Sequence, residues 1–197
     1  MSSTNVIPND EPGTGLCEEE HILLRQVANE AVEYGIRLGK RLSIEASRYP
    51  ATLQNPGASF VTLKIDGLLR GCIGSLEARQ PLVNDVAYNA YAAAFLDPRF
   101  QPVSKDELEK LEFHISVLTP AVAMIFDSEE DLLKQIRPGI DGLVLEENQY
   151  RGTFLPAVWE SLPDAESFLQ HLKQKAGLPQ NYWSESIKVA RYTTESF

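Results

Sequence analysis

The residue types best suited to chemistry gather in one short segment, Leu69-Arg70-Gly71-Cys72-Ile73-Gly74-Ser75. A cysteine attacks as its thiolate, which a nearby cation or a helix N-terminus stabilises. Arg70 stands two residues from Cys72, and in a strand that spacing puts both side chains on one face. The competing reading is that a free cysteine packs as a small hydrophobe, which is its commoner role. No histidine lies near Cys72 in the chain, so His114 could complete a cysteine–histidine pair only through folding. Gly71 and Gly74 add another option: glycines let a ligand approach backbone N–H groups while Arg70 holds a carboxylate or phosphate. Equally, they serve a bulge or a close backbone approach. The segment is no phosphate fingerprint, lacking both G-x-x-x-x-G-K-[ST] and a G-x-G-x-x-G that opens a helix.

Other candidates are weaker. In Asp97-Pro98-Arg99-Phe100, Asp97 and Arg99 either form a structural ion pair or line a cleft. His114 on a strand is more often structural than a base. The three histidines, His21, His114 and His171, show no H-x-x-x-H spacing, so no metal site within the chain is expected. Cys17 and Cys72 are too few for a disulfide framework, a structural zinc or an iron–sulfur cluster. The sequence calls for no cofactor. Trp159 and Trp183 read as core residues.

The elements that must position these groups follow from periodicity. Glu18 to about Leu42 is helical, with Ile22, Leu23, Val27, Ala31 and Tyr34 as its apolar stripe. Ala58–Ile65 and Leu68–Leu76 are strands joined by the turn pair Asp66-Gly67. Counting outward from that turn sets Ile65 opposite Leu68, Leu63 opposite Arg70 and Val61 opposite Cys72. A helix follows from Pro81 to about Leu96, with Leu82, Val86, Ala90 and Ala93 or Ala94 buried. Ser104 and Glu107 fit a capping box, Phe113–Thr119 alternates as a strand, and Ser128–Ile136 is a capped helix. Leu143–Glu146 and Tyr150–Leu155 form a second hairpin, Ala165–Ala176 a helix closed by Gly177, and Ile187–Thr194 a final strand. Helices and hairpins without strict βαβ order predict an α+β fold: a mainly antiparallel sheet with flanking helices.

The chain has 197 residues, 43% of them hydrophobic, and a net charge of −10. It can bury a real interior. An acidic chain is a poor partner for nucleic acid, whose binding rests on Lys and Arg contacts. No apolar run approaches a membrane span and no signal peptide is visible, so a cytoplasmic protein is expected. Residues 1–17 read as a mobile tail, and residues 18–197 as one domain.

Leu69-Arg70-Gly71-Cys72-Ile73-Gly74-Ser75 resembles the signature of the AMMECR domain family, whose bacterial and archaeal members are called AmmeMemoRadiSam system protein A. The similarity continues through Pro81–Val86, Asp97–Phe100, Ser116–Pro120, Pro138–Leu143, Arg151–Pro156, Lys175–Leu178 and Thr193–Phe197, in family order. The resemblance implies a larger and a smaller lobe, with the arginine–cysteine segment near the cleft between them. It also implies two partners, one Memo-like and one radical SAM-like. At Ala157 the family usually carries glutamine. Two functions stay in view: a partner-binding or substrate-presenting component, which is favoured, and an enzyme using Cys72 as nucleophile with Arg70 as anion stabiliser. A nucleic-acid-associated role is disfavoured by the charge.

Overall fold

The computed structural model describes residues 14–197, so most of the tail predicted over residues 1–17 lies outside the described residues. Five helices run over Glu18–Leu38 (α1), Ala51–Gln54 (α2), Leu82–Phe95 (α3), Glu129–Gln135 (α4) and Ala165–Ala176 (α5). The strands are Pro56–Gly57 (β1), Ser59–Ile65 (β2), Leu68–Gly74 (β3), Gln80–Pro81 (β4), Glu112–Leu118 (β5), Val122–Ala123 (β6), Gly142–Glu147 (β7), Tyr150–Phe154 (β8), Lys188–Tyr192 (β9) and Thr194–Ser196 (β10). The α+β expectation is met, but with two four-stranded sheets and a small β1–β4 pair in place of one sheet.

One sheet has the order β10-β5-β2-β3 and the other β6-β9-β7-β8, all antiparallel. Helices α1 and α3 cover one face of the first sheet. Leu24, Val27, Ala28 and Val32 of α1 meet Val83, Val86 and Ala90 of α3 and Val61, Leu63, Ile115 and Val117 of the strands in one core. Helices α4 and α5 serve the second sheet, whose smaller core centres on Leu132, Leu143, Leu145, Trp159, Phe168 and Leu172. Trp159 stacks on Phe168 with ring centroids 3.8 Å apart. Each sheet is apolar on the face its helices cover, which is why two cores form.

Helix α1 stops at Leu38 because Gly39 takes a left-handed φ of 63°. Its buried stripe is Leu24, Val27, Ala28, Ala31, Val32 and Gly35, rotated from the predicted one, and Ile22 is left 45% exposed. Both stripes fit a helical period. The one that wins brings small residues against α3.

Asp66 and Gly67 both have positive φ, as the predicted two-residue turn requires. Ile65 pairs with Leu68 as counted, but a bulge then shifts the register. Lys64 pairs with Leu69, Leu63 with Gly71, Thr62 with Cys72 and Val61 with Ile73. Arg70 is the extra residue of the bulge. The predicted Leu63–Arg70 and Val61–Cys72 pairs are therefore replaced. Cys72 lies opposite Thr62, on the face turned away from α1 and α3.

Candidate functional site

Strand β3 is a sheet edge, so its outward N–H and C=O groups need partners. The turn after α3 supplies them. Asp97 Oδ2 accepts the Cys72 N–H at 2.9 Å, and Arg99 Nη2 donates to the Cys72 carbonyl at 3.4 Å. The same two side chains clasp each other, Arg99 Nε to Asp97 Oδ1 at 2.9 Å and Nη2 to Oδ2 at 2.6 Å. The Arg99 guanidinium, then the N–H groups of Cys72 and Arg99, hold the buried Asp97 carboxyl far below the usual carboxylate range. Of the two sequence readings of this pair, the structure shows the ion pair, and its partners cap the edge of the strand that carries the thiol.

Cys72 is half-buried, and Thr62 Oγ1 donates to its Sγ at 3.2 Å. Arg70 does not stand free beside it. Its Nε and Nη2 donate to Glu107 at 2.7 and 3.1 Å, in the 3-10 turn Lys105–Lys110. Arg70 and Cys72 thus face different partners on different elements. The guanidinium that meets the Cys72 residue is that of Arg99, and it does so at the backbone carbonyl. His114 lies opposite Thr62, which lies opposite Cys72, so two strand spacings of ~4.8 Å separate the imidazole's strand from the thiol's. That is beyond hydrogen-bond reach, and His114 sits near Glu112 instead.

Both flanking glycines have packing reasons. A Cβ at Gly71 would lie 2.1 Å from the Ala93 carbonyl oxygen, because α3 crosses there. One at Gly74 would lie 2.2 Å from the Phe60 ring, which covers it from the neighbouring strand. The close approach at each glycine comes from within the chain.

The same outer sheet face runs into a cleft of about 520 Å³ between the two cores. Ser116, Thr194 and Ser196 form its floor on the first sheet. Pro138, Gly139, Pro156, Ala157, Trp159 and Glu160 form its wall on the second core. Ser116, Phe60 and Gly74 share one cross-strand row, and His114, Thr62 and Cys72 the next, so the Cys72 row flanks the floor. Ala157 lies in this wall.

A buried polar network escaped the sequence reading. Asp85 of α3 is 1% exposed and accepts from Ser59 N and Oγ at 2.8 Å, Ser75 Oγ at 2.7 Å, Gln80 and Asn89 Nδ2. It ties β2, the end of β3 and α3 together just behind Gly74. The signal was available: Asp85 and Asn89 fall on the apolar stripe of Leu82, Val86 and Ala90, where a polar pair demands buried partners. Among the described residues, no group of three or more His, Cys, Asp and Glu is placed to hold a metal ion, and no helix is long and apolar enough to cross a membrane.

Fold and cleft define a class: a two-core α+β protein with one helix-free sheet face opening into the groove between its cores. Within it, the chain belongs to the AMMECR1 family, whose model matches residues 25–197. It is 37% identical over 188 residues to a protein of Methanothermobacter thermautotrophicus, covering 92% of this chain and 95% of that one. A Thermotoga maritima protein is 35% identical over 172 residues, covering 86% and 94%. The crystal structure of uncharacterized protein PH0010 from Pyrococcus horikoshii matches with a TM-score of 0.81 at 34% identity, over 92% of each chain. The family and fold expected from the sequence are borne out.

Proposed function

We propose that this protein is a partner-binding or substrate-presenting component that works with a Memo-like and a radical SAM-like protein, and that the cleft between its cores is the recognition surface. One observation carries the reading. Four of the segments that bear the family resemblance, around Ser116, Pro138-Gly139, Leu155-Pro156 and Thr194–Ser196, come from distant parts of the chain and converge on this one cleft. Hydroxyls on the floor and proline-lined walls that carry one carboxylate, Glu160, suit capture of a ligand or peptide, and the lining offers no histidine, lysine or cysteine to work with that carboxylate.

The test is co-purification with recombinant Memo-like and radical SAM-like proteins. Wild type and Cys72→Ser are expected to retain them, while Ser116→Trp, which fills the cleft from an outward strand position, is expected to lose them with its melting temperature kept. Failure of wild type to bind either protein, or loss of binding in Cys72→Ser alone, overturns the reading.

The enzyme alternative keeps one specific support, a guanidinium next to the half-buried thiol's residue: Arg99 Nη2 donates to the Cys72 carbonyl at 3.4 Å. Alkylation of Cys72 in a Cys17→Ser background distinguishes the two. A rate already maximal near pH 6 indicates a nucleophilic thiolate, whereas a rate rising only above about pH 8 indicates an ordinary thiol.

A further inference from the structure

A second cavity lies apart from the cleft between the cores. It measures about 710 Å³ and lies on the first core, between the stretch that follows α1 and the outer side of α3. Lys40 and Arg41 stand on one wall, and Asn84, Tyr88 and Tyr91 on the other. In a chain of net charge −10, this lining holds two cations and no carboxylate. Among the described residues, neither cation has a carboxylate partner. Arg41 lies against Tyr88, its guanidinium carbon 5.4 Å from the ring centroid.

Cations past the end of α1 also suit its dipole, which explains their sign. That leaves the aromatic wall and Asn84 unexplained. Asn84 spends its Nδ2 on the Ile44 carbonyl at 3.0 Å, and its Oδ1 is buried with no hydrogen-bond partner among the described residues. A cavity of this size fits a small ligand. Its three features ask for three groups on that ligand: an anion for Lys40 and Arg41, a planar ring for the tyrosines and Arg41, and an N–H donor for Asn84.

We propose that this cavity is a binding site for a nucleoside phosphate, its phosphate on Lys40 and Arg41 and its base against Tyr88, Tyr91 and Asn84. The site is separate from the cleft, so it stands or falls independently of the proposed function.

Titration calorimetry on the full chain at low salt tests it, with ADP as the probe and adenosine, inorganic pyrophosphate and an oligoadenylate as comparisons. ADP is expected to bind, with adenosine and pyrophosphate each about tenfold weaker or more, since each lacks one half of the recognised chemistry. The double variant Lys40→Ala/Arg41→Ala should weaken ADP by a similar factor. Tyr88→Leu, at an exposed position, should weaken ADP but leave pyrophosphate unchanged. If the alanine pair lowers the melting temperature, Arg41→Lys keeps the charge and should still lose part of the ADP affinity. No ADP heat at millimolar concentration, equal affinity for pyrophosphate, or ADP binding indifferent to all three variants overturns the proposal. Tighter binding of the oligoadenylate would assign the cavity to nucleic acid instead.

Discussion

Arg70 and Arg99 differ in what their charges are spent on, and the difference is measurable. Arg70 first, then the Ser104 N–H, holds the Glu107 carboxyl down to about 2 against an ordinary 4.5. The pair is mostly buried, with side-chain exposures of 15% and 29%. Because the folded-state value is depressed, its stabilisation is complete above about pH 4.5. It is lost as pH falls through about 2. Glu107→Gln should therefore cost about 1–3 kcal/mol at pH 7, with Arg70 left lacking its charge partner. In urea unfolding the gap between wild type and variant should close steadily between pH 4.5 and 2; a gap unchanged across that range would mean the pair contributes little. The capping box of Ser104 and Glu107 was legible because its members are neighbours in the chain. The contact of Glu107 with Arg70 was not, since 37 residues separate them and only the bulge turns Arg70 that way. For the same reason spacing pointed to Arg70 as the cation beside Cys72, whereas the fold engages Arg70 with Glu107 and sets Arg99 on the Cys72 backbone.

At the scale of elements, β3 is held by what presses on its two glycines. A Cβ at Gly71 meets backbone, the Ala93 carbonyl, which cannot move without shifting α3. A Cβ at Gly74 meets only the ring of Phe60, a side chain that can turn aside. Gly71→Ala is thus expected to cost about 3 kcal/mol and Gly74→Ala about 1 kcal/mol, the range typical of overpacking. Thermal melts of both variants check the order, and equal losses would mean that α3 yields as readily as the ring. Adding Phe60→Ala should relieve Gly74→Ala and leave Gly71→Ala unchanged. The hairpin itself was readable from Asp66-Gly67 and its flanking alternation. The bulge was not, because it arises where α3 packs closely enough to require Gly71 and thereby fixes which residue of β3 faces Leu63. The Asp85 network is a similar case: each polar residue was visible, but their partners come from strands about a helix-length away in sequence.

For the whole molecule, the question is what keeps two separate cores in one arrangement. The ion pair of Arg151 on β8 with Glu77 links them at 2.5 Å, but its side chains are 43% and 39% exposed, and such pairs contribute ~1 kcal/mol at most. The stronger link is the end of the chain. One strand was expected over Ile187–Thr194; instead β9 ends at Tyr192 in the second sheet and β10 begins at Thr194 in the first. Thr193 marks the break, exchanging hydrogen bonds with Thr119 in the connection between β5 and β6. No local pattern announces a change of sheet, since both halves alternate as one strand would. Beyond β10, Phe197 and Ile115 exchange backbone hydrogen bonds at 3.0 and 2.9 Å. The Phe197 ring stacks on His21 of α1 at 4.0 Å, and Glu195 reaches the same imidazole at 2.8 Å. Deleting Thr194–Phe197 removes this staple, and burial of one phenylalanine alone is worth about 1.5–3 kcal/mol. The deletion should free the Ile115 amide, which points at β10, while the amides of His114 and Ser116, which point at β2 by antiparallel alternation, keep their protection. Hydrogen exchange resolved at these three amides decides it. Selective loss at Ile115, with the second core's amides unchanged, is expected if the terminal strand only staples. Loss of protection in the second core as well would mean that the two cores fold as one cooperative unit, with β10 as part of their shared interior.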